Sequence, residues 1–319
     1  MRISVVAASR EDDSPSTEAV AVAALADRLG YPEVWLGEGP TWDSFVLAAA
    51  VGAATARIAL TAGPVPVAVR DPATIARAAA SVEALTGRTV GAALGTSSVR
   101  VVEAVHGRSR ARPATVLAES AAAVRPLIGP SADPAIRLGP DFRRRLPPAT
   151  GPLTVAAFGD RAIRIAARYA DRMLLDLVSP EQVRTLRGKL DAAATSLGRT
   201  RPRLAAWLPT AVDPDPASYQ QVMRSVVGYL AVPQYGDVFA AAGFDEAMRL
   251  AAAGADPARL LAALPPDAAA TVGLVGDLAA VRARLDEYAA AGLDEVAIVP
   301  ATSGDPAGER TLTALAPTP

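Results

Sequence analysis

Short apolar runs alternate with longer amphipathic ones from one end of the chain to the other. Residues 3–8 read as a buried strand, and residues 18–29 place apolar side chains at helical spacing before Gly30, a residue suited to the position just past a helix end. Residues 33–36 predict a second strand, 42–54 a second helix and 57–62 a third strand. Asp71-Pro72 reads as a helix N-cap and first residue, opening a helix to about residue 85. Residues 89–94 predict a fourth strand, followed by helical sequence through about residue 127. After a Pro- and Gly-rich stretch at 129–151, strands are predicted at 153–157, 173–177, 204–212 and 295–299. Helices are predicted at 161–169, 180–197 and 277–291, with a long helical region at about 217–264 broken at Pro233, Gly243 and Asp256-Pro257.

Eight strands alternating with helices imply parallel βαβ units, and eight is the number that closes a (β/α)8 TIM barrel. The expectation is therefore an α/β chain forming one barrel domain over residues 1–319, with insertions after strands four and seven. A doubly wound open sheet is the alternative, but Ala7-Ala8-Ser9-Arg10 is not the glycine-rich turn such a sheet usually carries after its first strand.

Composition narrows the chemistry. The 319 residues are 51% hydrophobic and 20% charged, with a net charge of −1, which gives no electrostatic footprint for nucleic acid or an anionic membrane. The chain has no cysteine, which excludes disulfides, thiolate metal sites and cysteine nucleophiles, and its one histidine makes a histidine-based metal site improbable. No apolar run approaches the ~20 residues of a membrane span, and the N-terminus lacks a signal-peptide pattern, so a cytoplasmic protein is expected. The Ala-, Arg-, Pro- and Gly-rich usage suggests a high-GC, actinobacterial genome.

A barrel's active site lies at the C-terminal strand ends. Here those ends carry hydroxyls, glycines and apolar residues, with few acids or bases. A paired-carboxylate hydrolase is poorly supported, since Glu38 has no obvious partner in Asp43 or Asp176. A serine triad would need His106, about two turns into the helix after strand four. Such a site suits a flat cofactor that brings its own chemistry.

The segments LGYPEVWLGEG, TAGPVPVAVRDPATIARAAASVEALTGR, LGTSSVRVVEAVHG and VAAFGDRAIRIAARYADRMLLD resemble the bacterial luciferase-like monooxygenase superfamily. The likeness is particularly to its coenzyme F420-dependent oxidoreductases of the methylenetetrahydromethanopterin reductase type. GYLAVPQYGDVFAAAGF and VPATSGDPAGERTL extend it over nearly the whole chain. The resemblance implies a (β/α)8 barrel, often dimeric, that binds flavin or deazaflavin at the C-terminal mouth, where a bulge with a non-prolyl cis peptide backs the ring. The matching position is Gly63-Pro64, now an X-Pro bond, for which the cis state is far less costly.

By the same resemblance Gly95, Thr96, Ser97 and Ser98 line the ring and ribityl chain, and Ala157, Phe158 and Gly159 form the phosphate-side turn. Read from the residues alone, both are also ordinary helix-opening turns. Glu38 and Trp42 match a loop in which sugar-phosphate dehydrogenases of the superfamily carry an acid, a histidine and a tryptophan. Gly39 takes the histidine's place, so that proton abstraction is unavailable. Glu38 is then the candidate acid/base, with a structural carboxylate as the alternative, and Trp42 is a pocket wall or a core residue. His106, Tyr229 and Tyr235 are candidates for the substrate pocket or for packing. The basic run Arg143, Arg144 and Arg145 is a solvated charge run or a contact for the F420 polyglutamate tail. The function implied is an F420H2-dependent reductase acting on a small organic molecule or modified peptide. An FMN-dependent monooxygenase and a non-catalytic flavin- or deazaflavin-binding protein are the alternatives. A homodimer without bound metal is expected.

Overall fold

The computed structural model describes residues 1–317 except 9, 11, 13, 131, 134, 136–144, 233 and 234. Seven strands and their helices follow one another: β1 (Arg2–Ala7), α1 (Glu18–Arg28), β2 (Glu33–Leu36), α2 (Ser44–Ala54), β3 (Ala59–Pro66), α3 (Pro72–Thr86), β4 (Val90–Gly95), α4 (Pro113–Val124), β5 (Leu153–Ala156), α5 (Asp160–Tyr169), β6 (Arg172–Asp176), α6 (Pro180–Ser196) and β7 (Arg203–Val212). An insertion of α7 (Pro216–Val227), α8 (Gly236–Ala241), α9 (Asp245–Ala252), α10 (Pro257–Ala263) and α11 (Ala268–Thr271) leads to β8 (Leu274–Gly276), α12 (Leu278–Ala290), β9 (Glu295–Pro300) and α13 (Glu309–Ala314).

Every pairing is parallel, and β1 to β7 with β9 close a barrel through β7–β9 and β9–β1. β8 stands outside the ring, paired only with the last residues of β7. It is a ninth strand that the hydrophobic pattern did not predict, because three residues show no periodicity. The helix expected through residue 127 is also interrupted. A π-helical turn spans Arg100–Val105, Gly107 adopts φ +61°, and α4 starts afresh at Pro113. Elsewhere local chemistry sets the ends as expected. The Asp71 carboxylate accepts from the Ala73 and Thr74 N–H groups at 2.9 and 3.1 Å with Pro72 next. Among the described residues no helix is long and apolar enough to cross a membrane.

Strand periodicity sorts the side chains. On β6, Met173 and Leu175 join the layer between barrel and helices, whereas Leu174 joins a lumen cluster with Val6, Trp35, Ala93, Ala205 and Ala297. One step below Leu174, Arg172 is fully buried inside the barrel. Its guanidinium donates to Glu33 at 2.7 and 3.0 Å, to Glu295 at 2.8 Å, and to Thr61 and Thr154 at 3.2 Å. Ser4 donates to Glu295 at 2.6 Å, and the Trp35 ring covers the guanidinium at 3.8 Å. Burial alone would raise the Glu33 carboxyl. The adjacent Arg172 outweighs it and holds the group below the usual carboxylate range.

Replacing Arg172 by Met leaves Glu295 without its cation and Glu33 with only the half-buried Arg2 at 3.3 Å, so a loss of about 3–5 kcal/mol is expected in urea unfolding at neutral pH. The sign follows from the depressed Glu33 value. In the native protein its contribution is present above the unfolded carboxylate pKa of about 4.3 and is lost as pH falls through the lower folded value. In R172M the buried carboxylates lose the cation that favours their charged forms, so the deficit should shrink as pH falls. Adding Glu33→Gln and Glu295→Gln should recover much of it.

Candidate active site

The C-terminal ends of the strands open into a cavity of about 1410 Å³. Its first wall is β3. The β3–β4 register slips between Ala62 and Val65, and the bulge carries a cis Gly63–Pro64 peptide. Gly63 adopts φ +110°, and a Cβ there would lie 2.5 Å from the Ala93 carbonyl oxygen and 2.6 Å from the Val65 nitrogen. Only glycine fits both the conformation and the space. Pro64 lines the cavity, and a Cβ on Gly95 would come within 3.1 Å of the Pro64 Cβ. β3 and β4 thus present a smooth apolar surface.

The second wall is the turn after β4. Ser97 takes φ +54°, and the Ser98 hydroxyl accepts from the Val101 N–H at 3.2 Å, opening the π-helical turn. Arg110 donates to the Ser97 carbonyl at 2.8 Å and to the Thr96 hydroxyl at 3.3 Å, bracing the turn from behind. The third wall is 156–159. Gly159 caps α5 without a side-chain hydrogen bond, and a Cβ on it would meet nothing within 4 Å. The start of α5 is therefore uncrowded at Gly159, and its first-turn N–H groups carry no side-chain cap, the arrangement that suits an anion. Lys189, which lines the same cavity, holds Asp160 at 2.9 Å beside them.

The profile of the luciferase-like monooxygenase family matches residues 1–295. The chain belongs to that family. No curated protein sequence matches it at a significant level. Among solved structures, the luciferase-like chain is similar to an F420-dependent secondary alcohol dehydrogenase in complex with an F420–acetone adduct, at 16% identity and TM-score 0.76, covering 98% of this chain and 97% of that one. It is similar to the coenzyme F420-dependent tetrahydromethanopterin reductase of Methanopyrus kandleri at 16% identity and TM-score 0.74, covering 99% and 98%. It is also similar to the FMN-bound oxygenating constituent of the 3,6-diketocamphane monooxygenase of Pseudomonas putida, at 15% identity and TM-score 0.68, covering 99% and 96%. At these identities the likeness is one of fold.

The structure brings most of the sequence-predicted site residues to one place. Pro64, Gly95, Thr96, Ser97, Ser98, Ala157, Phe158, Gly159, Tyr229, Tyr235 and Glu38 all line the cavity, with Gly63 behind Pro64 in the bulge. Glu38 reaches it with its oxygens occupied. Arg70 donates to it at 2.6 and 2.9 Å and the Ser44 N–H at 2.8 Å, while Arg70 also holds Asp43 at 2.8 Å. That network ties the strand-two loop down, which is the structural alternative for Glu38. Trp42 packs partly buried against the core and does not line the cavity. His106 is exposed at the end of the π-helical turn and is also outside the lining. Of the basic run, Arg143 and Arg144 lie outside the described residues, and Arg145 is exposed.

Sequence reasoning passed over Asp176 as a site residue. It ends β6, one step above Leu174 on the lumen face, and lines the cavity. The Tyr235 hydroxyl donates to it at 3.0 Å and the Tyr229 hydroxyl faces the same carboxyl, the two rings lying 4.9 Å apart. Burial pushes the Asp176 carboxyl up to about 7, against the opposing pull of Tyr235 and Tyr229. The Asp176 charge and burial raise Tyr229, and burial and that charge raise Tyr235, so both phenols stay protonated. The signal was present in the alternation Arg172, Leu174, Asp176, which puts all three on one face.

A flat ring with a polyol and a phosphate fits these residues. Pro64 against Gly95 gives an apolar face without protruding side chains, the turn 96–98 gives hydroxyls, and the space over Gly159 meets the uncapped α5 terminus. Because the Gly63 conformation and contacts exclude a side chain, Gly63→Ala is expected to destabilise the protein by at least about 1–3 kcal/mol in thermal or urea unfolding.

Proposed function

We propose that the chain is an F420-dependent oxidoreductase that reduces a small organic substrate. The observation that carries this reading is the slot itself: the Gly63–Pro64 bulge packed against Gly95, flanked by the hydroxyl turn at 96–98 and the Gly159 turn. The fold likeness to two F420-dependent enzymes, at TM-scores of 0.76 and 0.74, supports a deazaflavin over FMN. When bound, a reduced deazaflavin supplies a hydride as a two-electron carrier and reacts poorly with oxygen.

The protein's own part is binding and orientation. Pro64 and Gly95 back a ring. Thr96, Ser97 and Ser98 offer hydroxyls to a polyol. The α5 N–H groups and Lys189 favour a phosphate. Tyr229, Tyr235 and Phe158 wall the side of the cavity left for a substrate. Apolar walls with few fixed charges suit a neutral or weakly polar molecule.

Titration of the purified protein with F420 and separately with FMN, followed by fluorescence quenching, tests the reading. Saturable F420 binding without oxygen uptake by the reduced form is expected. Preference for FMN with oxygen uptake would replace it with a monooxygenase. Gly159→Val should weaken F420 binding about tenfold or more, a loss of about 1.4 kcal/mol, with a smaller loss of thermal stability of up to about 1 kcal/mol because valine is a poor N-cap for α5.

A further inference from the structure

Five ionisable side chains besides Asp176 and the two tyrosines line the cavity: Glu38, Arg100, Glu181, Lys189 and Asp237. Arg100, Glu181, Lys189 and Asp237 are exposed at the rim on the π-helical turn, α6 and α8. The Glu38 oxygens are taken by Arg70 and the Ser44 N–H. Among the described residues that line the cavity, Asp176 is the carboxyl that is neither exposed at the rim nor held by a cation: the groups acting on it are the Tyr235 and Tyr229 hydroxyls and a backbone N–H. β6 also stands next to β5 in the barrel, so Asp176 is one strand away from the Ala157–Gly159 turn that follows β5, and both line the same cavity.

We infer that Asp176 is the proton donor of this site, delivering its proton to a neutral substrate that carries a polarised C=O, C=N or conjugated C=C bond, with Tyr229 linking it to solvent. The inference rests on the reading of the chain as an F420-dependent reductase. Reduction of such a bond needs two electrons and two hydrogens. The hydride, with the reduced deazaflavin as its source, forms the new C–H bond. The π pair moves to the far atom, and that atom takes the proton as the Asp176 O–H bond breaks. The carboxylate left behind accepts from Tyr235, already 3.0 Å away, and from Tyr229. Tyr229 is 36% exposed and Tyr235 8%, so the first is the outer phenol, through which water can restore the proton, and the second is the inner brace. A carboxylic acid near 7 is half protonated at neutral pH, and a ligand that expels water from the cavity raises it further.

The test has a readout independent of turnover. Infrared spectra of the full-length protein without cofactor should show a protonated-carboxyl band that titrates near pH 7 and is absent in Asp176→Asn. Tyr235→Phe and Tyr229→Phe each remove a hydrogen bond that favours the charged form, so the midpoint should move up. With F420H2 and cyclohexenone as a neutral enone probe, D176N should lower kcat by about 100-fold or more while F420 binding stays unchanged. Wild-type kcat should fall as pH rises through the infrared midpoint. If D176N binds F420 and reduces the probe at the wild-type rate, or if no band is lost in it, the proton-donor role is overturned and the F420 reading stands. Failure of the wild-type protein to bind F420 overturns both.

Discussion

Everything at the mouth of this barrel depends on one charge placed at its floor. Arg172 is buried with no access to water, and its guanidinium ties β6 to β2, β9, β3 and β5 through Glu33, Glu295, Thr61 and Thr154. Removing an ion from water costs several kcal/mol, so the cluster holds only because every oxygen and N–H in it has a nearby partner. Its effect is positional. Trp35 lies flat on the guanidinium and donates to Ser4 at 3.1 Å, and Trp207 meets Trp35 edge to face at 5.9 Å. Trp207 in turn lines the cavity. A column therefore runs from the ionic layer through two indoles to the site floor, and it fixes where the ring slot begins.

The same strand supplies both ends of this arrangement. Arg172 and Asp176 lie four residues apart on β6, separated by Leu174 in the lumen cluster. Two groups of opposite charge, Arg172 fully buried and Asp176 half-buried in the cavity wall, meet opposite fates. Arg172 is matched by two carboxylates and stays ionised, giving rigidity. Asp176 is matched only by two hydroxyls and a backbone N–H, which do not offset burial, so its proton is exchangeable near neutral pH. Glu38 offers the control within the same cavity. It is another carboxylate lining that cavity, but Arg70 and the Ser44 N–H hold it, and through them it ties down a loop.

What could be read from the sequence was local. The strands and helices of the barrel follow from periodicity, and the Asp71-Pro72 cap from adjacent residues. The Gly63–Pro64 bulge came with the family resemblance rather than from pattern. What could not be read was distant. Glu33 and Arg172 are 139 positions apart and Arg172 and Glu295 are 123, and no periodicity announces that three strands start with charges that meet inside a barrel. Asp176, weighed from the sequence only as a partner for Glu38, was set aside for the same reason, since its meaning comes from Tyr235, 59 positions away within an insertion. β8 escaped because its order depends on pairing with β7. The interrupted helix after β4 escaped because Gly107 and Pro113 compete with an otherwise helical pattern, and tertiary bracing by Arg110 decides the outcome.

The cavity is built from two kinds of wall, and the difference bears on how such a site can change its substrate. The ring slot is made from strand ends whose register is locked by neighbouring strands, so a change there disturbs the barrel. The opposite wall belongs to the insertion between β7 and β8, and it hangs on an aromatic column. Phe158 meets Tyr235 at 5.0 Å, Tyr235 meets Phe239 at 5.5 Å, and Phe239 meets Phe244 at 5.4 Å. Phe239 and Phe244 are buried in the core, so the column is anchored at its far end and presents its near end, Tyr235, to Asp176. Side chains on that insertion can vary in shape without touching the slot, provided the column persists. The position of the inner phenol, and with it the protonation state of Asp176, is then held by packing against Phe158, Tyr229 and Phe239 rather than by the backbone of the barrel.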